Sequence, residues 1–196
     1  MKFLIATHNR HKCVEFRRIL APLGIEAVTA ENMGITLTDA EETGTTFAEN
    51  ARIKAVSGCN ESGMVCIADD SGLSVDALDG RPGVYSARYA GGHDVPYDVK
   101  INTLLDEMKD VPDSERGAQF VSSVCCAFPD GRLLEVEGIC RGIIGHEPRG
   151  AGGFGFDPIF YVGSKSFAEL TGAEKDALSH RGKSLTLFSE RIKEFI

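Results

Sequence analysis

The first thirty residues restrict the fold of this chain more than any other stretch. Lys2–Ala6 is a short apolar run with the character of a buried strand. Beyond Thr7-His8-Asn9, residues 10–23 place Cys13, Phe16, Ile19, Leu20 and Leu23 at helical spacing, and Gly24 closes the run. Ile25–Thr29 then alternates as a second strand. Strand, turn, helix and strand in that order open an α/β layer structure.

The remaining segments extend the pattern. Thr46-Phe47-Ala48-Glu49 is a capping-box signature that starts a helix running to about Cys59 and carrying Asn50 and Lys54. Met64–Ala68 is an unbroken apolar strand that stops abruptly at Asp69-Asp70-Ser71-Gly72. Residues 79–97 are rich in Gly, Pro and Tyr and are expected to form a long ordered loop, followed by a helix over Tyr97–Met108. Gln119–Phe128 and Arg132–Arg141 flank Pro129-Asp130-Gly131 as a hairpin. A glycine-dense loop over Gly150–Gly155, a short capped helix over Ser166–Leu170 and a last helix over Lys183–Phe195 complete the order. The predicted fold class is α/β, a mixed sheet with helices on both faces, bent around a central cleft.

Composition narrows the function. A chain of 196 residues can bury roughly 70% of its unfolded surface and needs no staples. Its formal net charge of −8 disfavours nucleic-acid polymers and anionic membranes, which require an extended basic surface. The longest apolar runs fall far short of the ~20 residues of a spanning helix, and the N-terminus lacks the apolar region of a secretory signal. The 6 cysteines show no CxxC spacing and are expected to be reduced packing residues of a cytoplasmic protein.

Several constellations carry chemistry. At Thr7-His8-Asn9-Arg10-His11-Lys12 a strand gives way to a helix, so backbone N–H groups and the positive helix end converge with the Thr7 hydroxyl, the Asn9 amide and the Lys12 ammonium. That donor set suits a polyphosphate; the competing reading is an Asn N-cap followed by a solvated lysine. Asp69 and Asp70 are costly at the end of an apolar strand unless cations or donors compensate them. Their hard oxygens suit Mg²⁺, although Asp-Asp-Ser-Gly also reads as a turn. Glu42, in the acidic run Asp39-Ala40-Glu41-Glu42, gains interest from Lys54 and the Asp pair in nearby elements. In Gly152-Gly153-Phe154-Gly155-Phe156-Asp157-Pro158 the glycines permit close backbone approach, the aromatics can stack on a planar ring and Asp157 can accept from a base N–H. Lys175 and Ser179-His180-Arg181 add donors before the last helix.

Thr7-x-Asn9-x-x-Lys12, Glu41-Glu42-Thr43-Gly44-x-x-Phe47-x-Glu49-Asn50-Ala51, Ala68-Asp69-Asp70-Ser71-Gly72-Leu73, Gly83-Val84-Tyr85-Ser86-Ala87-Arg88-Tyr89, Gly152 to Pro158 and Ser179-His180-Arg181-Gly182 follow one another in an order found in one family. The chain resembles the inosine/xanthosine triphosphate pyrophosphatases, the RdgB/HAM1-type nucleotide hydrolases. The resemblance implies one domain over residues 1–196 whose two lobes flank a nucleotide cleft, assembled as a homodimer. It implies Mg²⁺-dependent hydrolysis of dITP, ITP and XTP to the monophosphate and pyrophosphate. By position, Thr7, Asn9, Lys12, Lys54 and Ser71 resemble the family's phosphate ligands, with His8, Arg10 and His11 making that loop bulkier and more basic. Glu42 and Asp70 resemble its metal ligands, and Asp70 also its proton acceptor. Phe154, Gly155, Phe156, Asp157, Lys175, His180 and Arg181 resemble its base-binding set. The rival readings are a Maf-type pyrophosphatase of other modified nucleotides and a nucleotide sensor without turnover.

Overall fold

The computed structural model describes all 196 residues. Its strands are β1 (Lys2–Ile5), β2 (Glu26–Thr29), β3 (Cys66–Val75), β4 (Gly117–Ala127), β5 (Leu133–Ile144), β6 (Phe160–Val162) and β7 (Lys165–Ser166). They form one seven-stranded sheet in the order β2-β1-β3-β4-β5-β6-β7. The sheet is mixed, because β1 pairs in parallel with β2 and β3 whereas β6 runs antiparallel to β5 and β7. The helices are α1 (Arg10–Leu20), α2 (Ala30–Met33), α3 (Phe47–Ser62), α4 (Tyr97–Glu107), α5 (Gly172–Leu178) and α6 (His180–Arg191).

The chain divides into two compact units. The first comprises Met1–Asp70, Ser122–Gly138 and Arg181–Ile196. Here β1 and β3 are buried on both faces, and strand alternation sorts their side chains. Phe3, Ile5 and Ile67 join one core cluster with Phe16 of α1 and Leu185 and Phe188 of α6. Leu4, Cys66 and Ala68 join another with Ala51, Ala55 and Cys59 of α3. All six cysteines are buried and free, in line with the packing role expected of them.

The second unit comprises Ser71–Val121 and Ile139–His180. Its core gathers Leu73, Leu104, Phe120, Phe156, Phe160 and Phe167. The expected loop over residues 79–97 contains 3₁₀ turns over Gly83–Gly91. Ser86 anchors them by accepting from the Leu73 N–H at 2.9 Å and donating to the Gly83 carbonyl at 2.6 Å, while Lys100 of α4 donates to the Ala87 carbonyl at 2.6 Å.

The sequence places the Asp pair at the end of a strand, but the structure places it inside one. β3 continues through Asp69 and Asp70 to Val75, so these residues form no turn. The reason lies in their partners. Alternation directs Asp69 to the Ile67 face and Asp70 to the Ala68 face, and side chains from the helices on each face meet them.

Candidate active site

The first unit holds a charged cluster built around these two carboxylates. On the face of α1 and α6, Asp69 Oδ2 accepts from Lys12 Nζ at 3.1 Å and Arg181 Nε at 3.3 Å. Arg181 also pairs with Glu15, one turn beyond Lys12 on α1. The Asp69 side chain is fully buried and that of Arg181 is 2% exposed, so these two are closed off from water, while Lys12 and Glu15 stay partly exposed. Burial would lift the Asp69 carboxyl, but Lys12, Arg181 and Lys54 outweigh it and hold the group far below the ordinary carboxylate range. Burial also pulls the Lys12 ammonium down, against the attraction of Asp69.

On the α3 face, Lys54 Nζ donates to Glu42 Oε1 at 2.8 Å and to Asp70 Oδ1 at 3.2 Å. Asn50, one turn earlier on α3, donates through Nδ2 to Asp70 Oδ2 at 3.3 Å. Burial raises the Asp70 carboxyl; Lys54 and Lys12 pull it back, and Glu42 and Asp69 add to the rise. Burial acts to lower the Lys54 ammonium, but Asp70, Asp69 and Glu42 leave it raised. Ser71 follows Asp70 on β3.

The turn after β1 has a divided character. Asn9 is the N-cap of α1, its side-chain oxygen accepting from the His11 and Lys12 N–H groups at 3.0 and 3.2 Å. Thr7 Oγ1 accepts from the Asn9 N–H at 3.2 Å. The N-cap reading of Asn9 therefore holds, whereas Lys12 is no solvated lysine: it reaches Asp69. His8 is exposed and pairs with Asp39 at 2.7 Å, and Arg10 and His11 lie exposed at the start of α1.

The second unit holds a cluster of aromatic side chains around one ion pair. Asp157 Oδ2 accepts from Lys175 Nζ at 2.6 Å and from the Phe154 N–H at 2.8 Å, closing the Gly153–Asp157 turn. Gly153 is obligatory there, since its φ is +70° and a Cβ would strike the Asp157 carboxylate. The Lys175 ammonium lies 4.9 Å from the Phe154 ring centre and 5.8 Å from that of Phe167. His180 stacks on Phe120 at 4.7 Å between ring centres and an interplanar angle of 14°. Phe156 is buried and meets Tyr97 edge to face at 5.6 Å, and the same Tyr97 ring backs Gly155.

Of the residues singled out in the sequence, Glu42, Lys54 and Asp70 thus converge, Lys12 and Arg181 meet on Asp69, and Phe154, Asp157 and Lys175 gather with His180 among phenylalanines. His8, Arg10 and His11 join neither group through the contacts described. Sequence reasoning missed Glu15, the partner of Arg181, and gave Asn50 no role. The signal for Asn50 was available: a polar residue four before Lys54, on the same helical face.

A model of the Ham1 family matches residues 3–191. A curated relative from Rhodopseudomonas palustris named dITP/XTP pyrophosphatase is 45% identical over 199 residues, spanning 100% of this chain and 92% of its own. Another so named, from Yersinia pestis, is 45% identical over 197 residues and 98% of both chains. Among solved structures, a HAM1 protein from Coxiella burnetii superposes with a TM-score of 0.89 at 38% identity, covering 99% of each chain. The Staphylococcus aureus Ham1 protein gives 0.87 at 35% identity over 100% of both.

Proposed function

The chain belongs to the Ham1 family, and on that premise we propose that it hydrolyses dITP, ITP and XTP to the nucleoside monophosphate and pyrophosphate. The observation that carries this reading is the convergence of Glu42 and Asp70 on one ammonium, that of Lys54. Full-length relatives that bear the name dITP/XTP pyrophosphatase support it.

The charged cluster suits a divalent cation. Glu15, Glu42, Asp69 and Asp70 are four carboxylates against the three cations Lys12, Lys54 and Arg181. A triphosphate adding its own negative charge is repelled unless a further cation accompanies it. Glu42 and Asp70, hard oxygen donors from a loop and a strand, would hold Mg²⁺, an ion that keeps several waters and binds through few carboxylates. When bound, the ion offsets phosphate charge and makes a coordinated water more acidic.

Lys12 and Lys54 grip the outer phosphates and stabilise the departing pyrophosphate. Asp70 takes a proton from the water whose oxygen attacks the α-phosphorus. The bond from that phosphorus to the bridging oxygen breaks, and its electron pair leaves with pyrophosphate. Thr7, Asn9 and Ser71 complete the phosphate contacts.

The aromatic site reads the base. Hypoxanthine and xanthine offer O6 as an acceptor and N1–H as a donor. Lys175 is a donor and Asp157 an acceptor side by side, with Phe154 to stack upon. Adenine presents the reverse pattern and leaves both groups mismatched, at about 1–3 kcal/mol for each buried group left unpaired. His180, stacked on Phe120, belongs to the same recognition set, whereas Arg181 is committed to Asp69 and Glu15. The working protein is a cytoplasmic homodimer acting on free nucleotides.

The test is product analysis of dITP turned over with Mg²⁺. Pyrophosphate and dIMP are expected; orthophosphate and dIDP would overturn the reading.

A further inference from the structure

Asn50 is a fully buried polar side chain that bonds Asp70 directly and the loop carrying Glu42 through the Gly44 backbone. Its Oδ1 accepts from the Gly44 N–H at 2.8 Å, tying down the loop that carries Glu42 two residues earlier. Its Nδ2 donates to Asp70 Oδ2 at 3.3 Å. Lys54, one helical turn further along α3, holds the other Asp70 oxygen and Glu42 as well. One face of one helix therefore holds Asp70 at two levels, Lys54 by charge and Asn50 by a directed hydrogen bond, while Glu42 is held by Lys54 and its loop is tied to Asn50 at Gly44. The loop approaches so closely that a Cβ on Gly44 would sit 2.6 Å from Asn50 Oδ1 and 2.7 Å from Glu49 Cβ, which makes glycine obligatory there. The base of α3 is itself fixed by the Thr46–Glu49 capping box, so Asn50 stands on a rigid first turn.

We infer that Asn50 is a positioning residue that sets the spacing and orientation of Glu42 and Asp70. Lys54 cannot do this alone, because an ammonium on a flexible stem has no preferred direction, whereas a carboxamide presents one acceptor and one donor edge in fixed relation. The role rests on the function proposed above, through the metal and proton chemistry assigned to the two acids. Partners behind metal-binding carboxylates cost about 10–100-fold in affinity or activity when removed, and a displacement near 1 Å at the reacting groups costs roughly 10²-fold.

Asn50→Ala and the isosteric Asn50→Asp separate the two bonds in the full chain. Asn50→Ala loses both. It is expected to lower kcat for dITP about 10²-fold and to leave KM within about threefold, the worth of less than one hydrogen bond. Its Mn²⁺ affinity without nucleotide should fall about tenfold, and exchange of the Gly44 amide should quicken about tenfold. Asn50→Asp keeps the acceptor for Gly44 but replaces the donor to Asp70 with a second carboxyl, so its Gly44 amide stays protected while kcat falls. Wild-type kcat in Asn50→Asp, or unchanged Mn²⁺ affinity in Asn50→Ala, overturns the proposal. An unprotected Gly44 amide in the wild-type chain also overturns it, without any variant having to fold. A wild-type chain that releases no pyrophosphate from dITP, yet shows Gly44 protection and Mn²⁺ binding that depend on Asn50, sinks the function and leaves the positioning role standing.

Discussion

The charged cluster and the aromatic site both pair lysines with aspartates, yet they surround those pairs differently. In the cluster, Lys54 is shared by Glu42 and Asp70, and Asp69 is shared by Lys12 and Arg181. In the aromatic site, Lys175 meets Asp157 at 2.6 Å with the Phe154 and Phe167 rings around it. Sharing makes the cluster a network in which each charge depends on several others, a state that a highly charged substrate can redistribute. The pair in the aromatic site is a preset donor and acceptor, suited to reading a neutral ring. Loss of a cluster charge should therefore act on turnover or on folding, and loss of a charge in the aromatic site on recognition.

The largest expected effect is Asp70→Asn. The amide keeps the shape and one acceptor, enough for Lys54 or Asn50 but not for both, and takes no proton, so kcat should fall by about 10²–10⁴-fold with a smaller drop in melting temperature than Asp69→Asn gives. Steady-state kinetics beside a thermal melt checks this. Wild-type turnover would remove Asp70 from proton transfer and dissolve the contrast between the two regions.

Asp69→Asn attacks the cluster from the other face and should appear in stability first. It leaves the buried Arg181 and the partly buried Lys12 without their shared anion, and breaking a buried pair from one side costs about 3–5 kcal/mol. A drop of several degrees in melting temperature is expected, with residual activity reporting how far Lys12 depends on Asp69 for its place. An unchanged melt would show that Glu15 holds Arg181 unaided.

Lys175→Ala sharpens the comparison from the aromatic side. KM for dITP should rise and the preference for dITP over dATP should shrink by about tenfold or more, the value of one mismatched buried group, while kcat at saturation stays near wild type. A loss confined to kcat would place Lys175 with the charged cluster instead.

These regions were not equally legible in the sequence. Glu42, Lys54 and Asp70 gain meaning only together: each alone reads as an acidic loop residue, a helix lysine or a turn, and the set stands out because all three border a buried strand and a capped helix. The Gly152–Pro158 segment reads equally as a tight turn with two core phenylalanines, and the structure does form that turn, with Phe156 in the core. Strand alternation was the step left out at Asp69 and Asp70: adjacent residues on a strand face opposite ways, so the pair serves two helix layers. Charge compensation kept β3 going where two carboxylates read as a stop. Glu15 could not be seen at all, since its partner Arg181 is 166 residues distant and only the fold brings α1 to α6. Asn50 was visible as a residue but not as a role, because a buried amide shows its purpose only through the atoms it touches.

Glu174→Gln is the mildest perturbation and probes how the lysine of the aromatic site is supported. Glu174 closes a capping box with Thr171 at the start of α5, the helix that carries Lys175, and pairs with Lys165 at 3.0 Å. The Thr171 backbone N–H and Lys165 bring its carboxyl down to about 2. The folded value lies below the unfolded value of about 4.3, so the charged form stabilises the fold. That stabilisation is fully present above about pH 4.3 and drains away as pH falls toward 2. Glutamine still accepts from the cap amide but lacks the charge. Glu174→Gln should therefore melt slightly below wild type at pH 7, and the gap should narrow as the pH is lowered through 4 to 3. A gap that stays constant with pH would mean that α5 is held by packing alone, and that Lys175 owes nothing to the charge at the end of its helix.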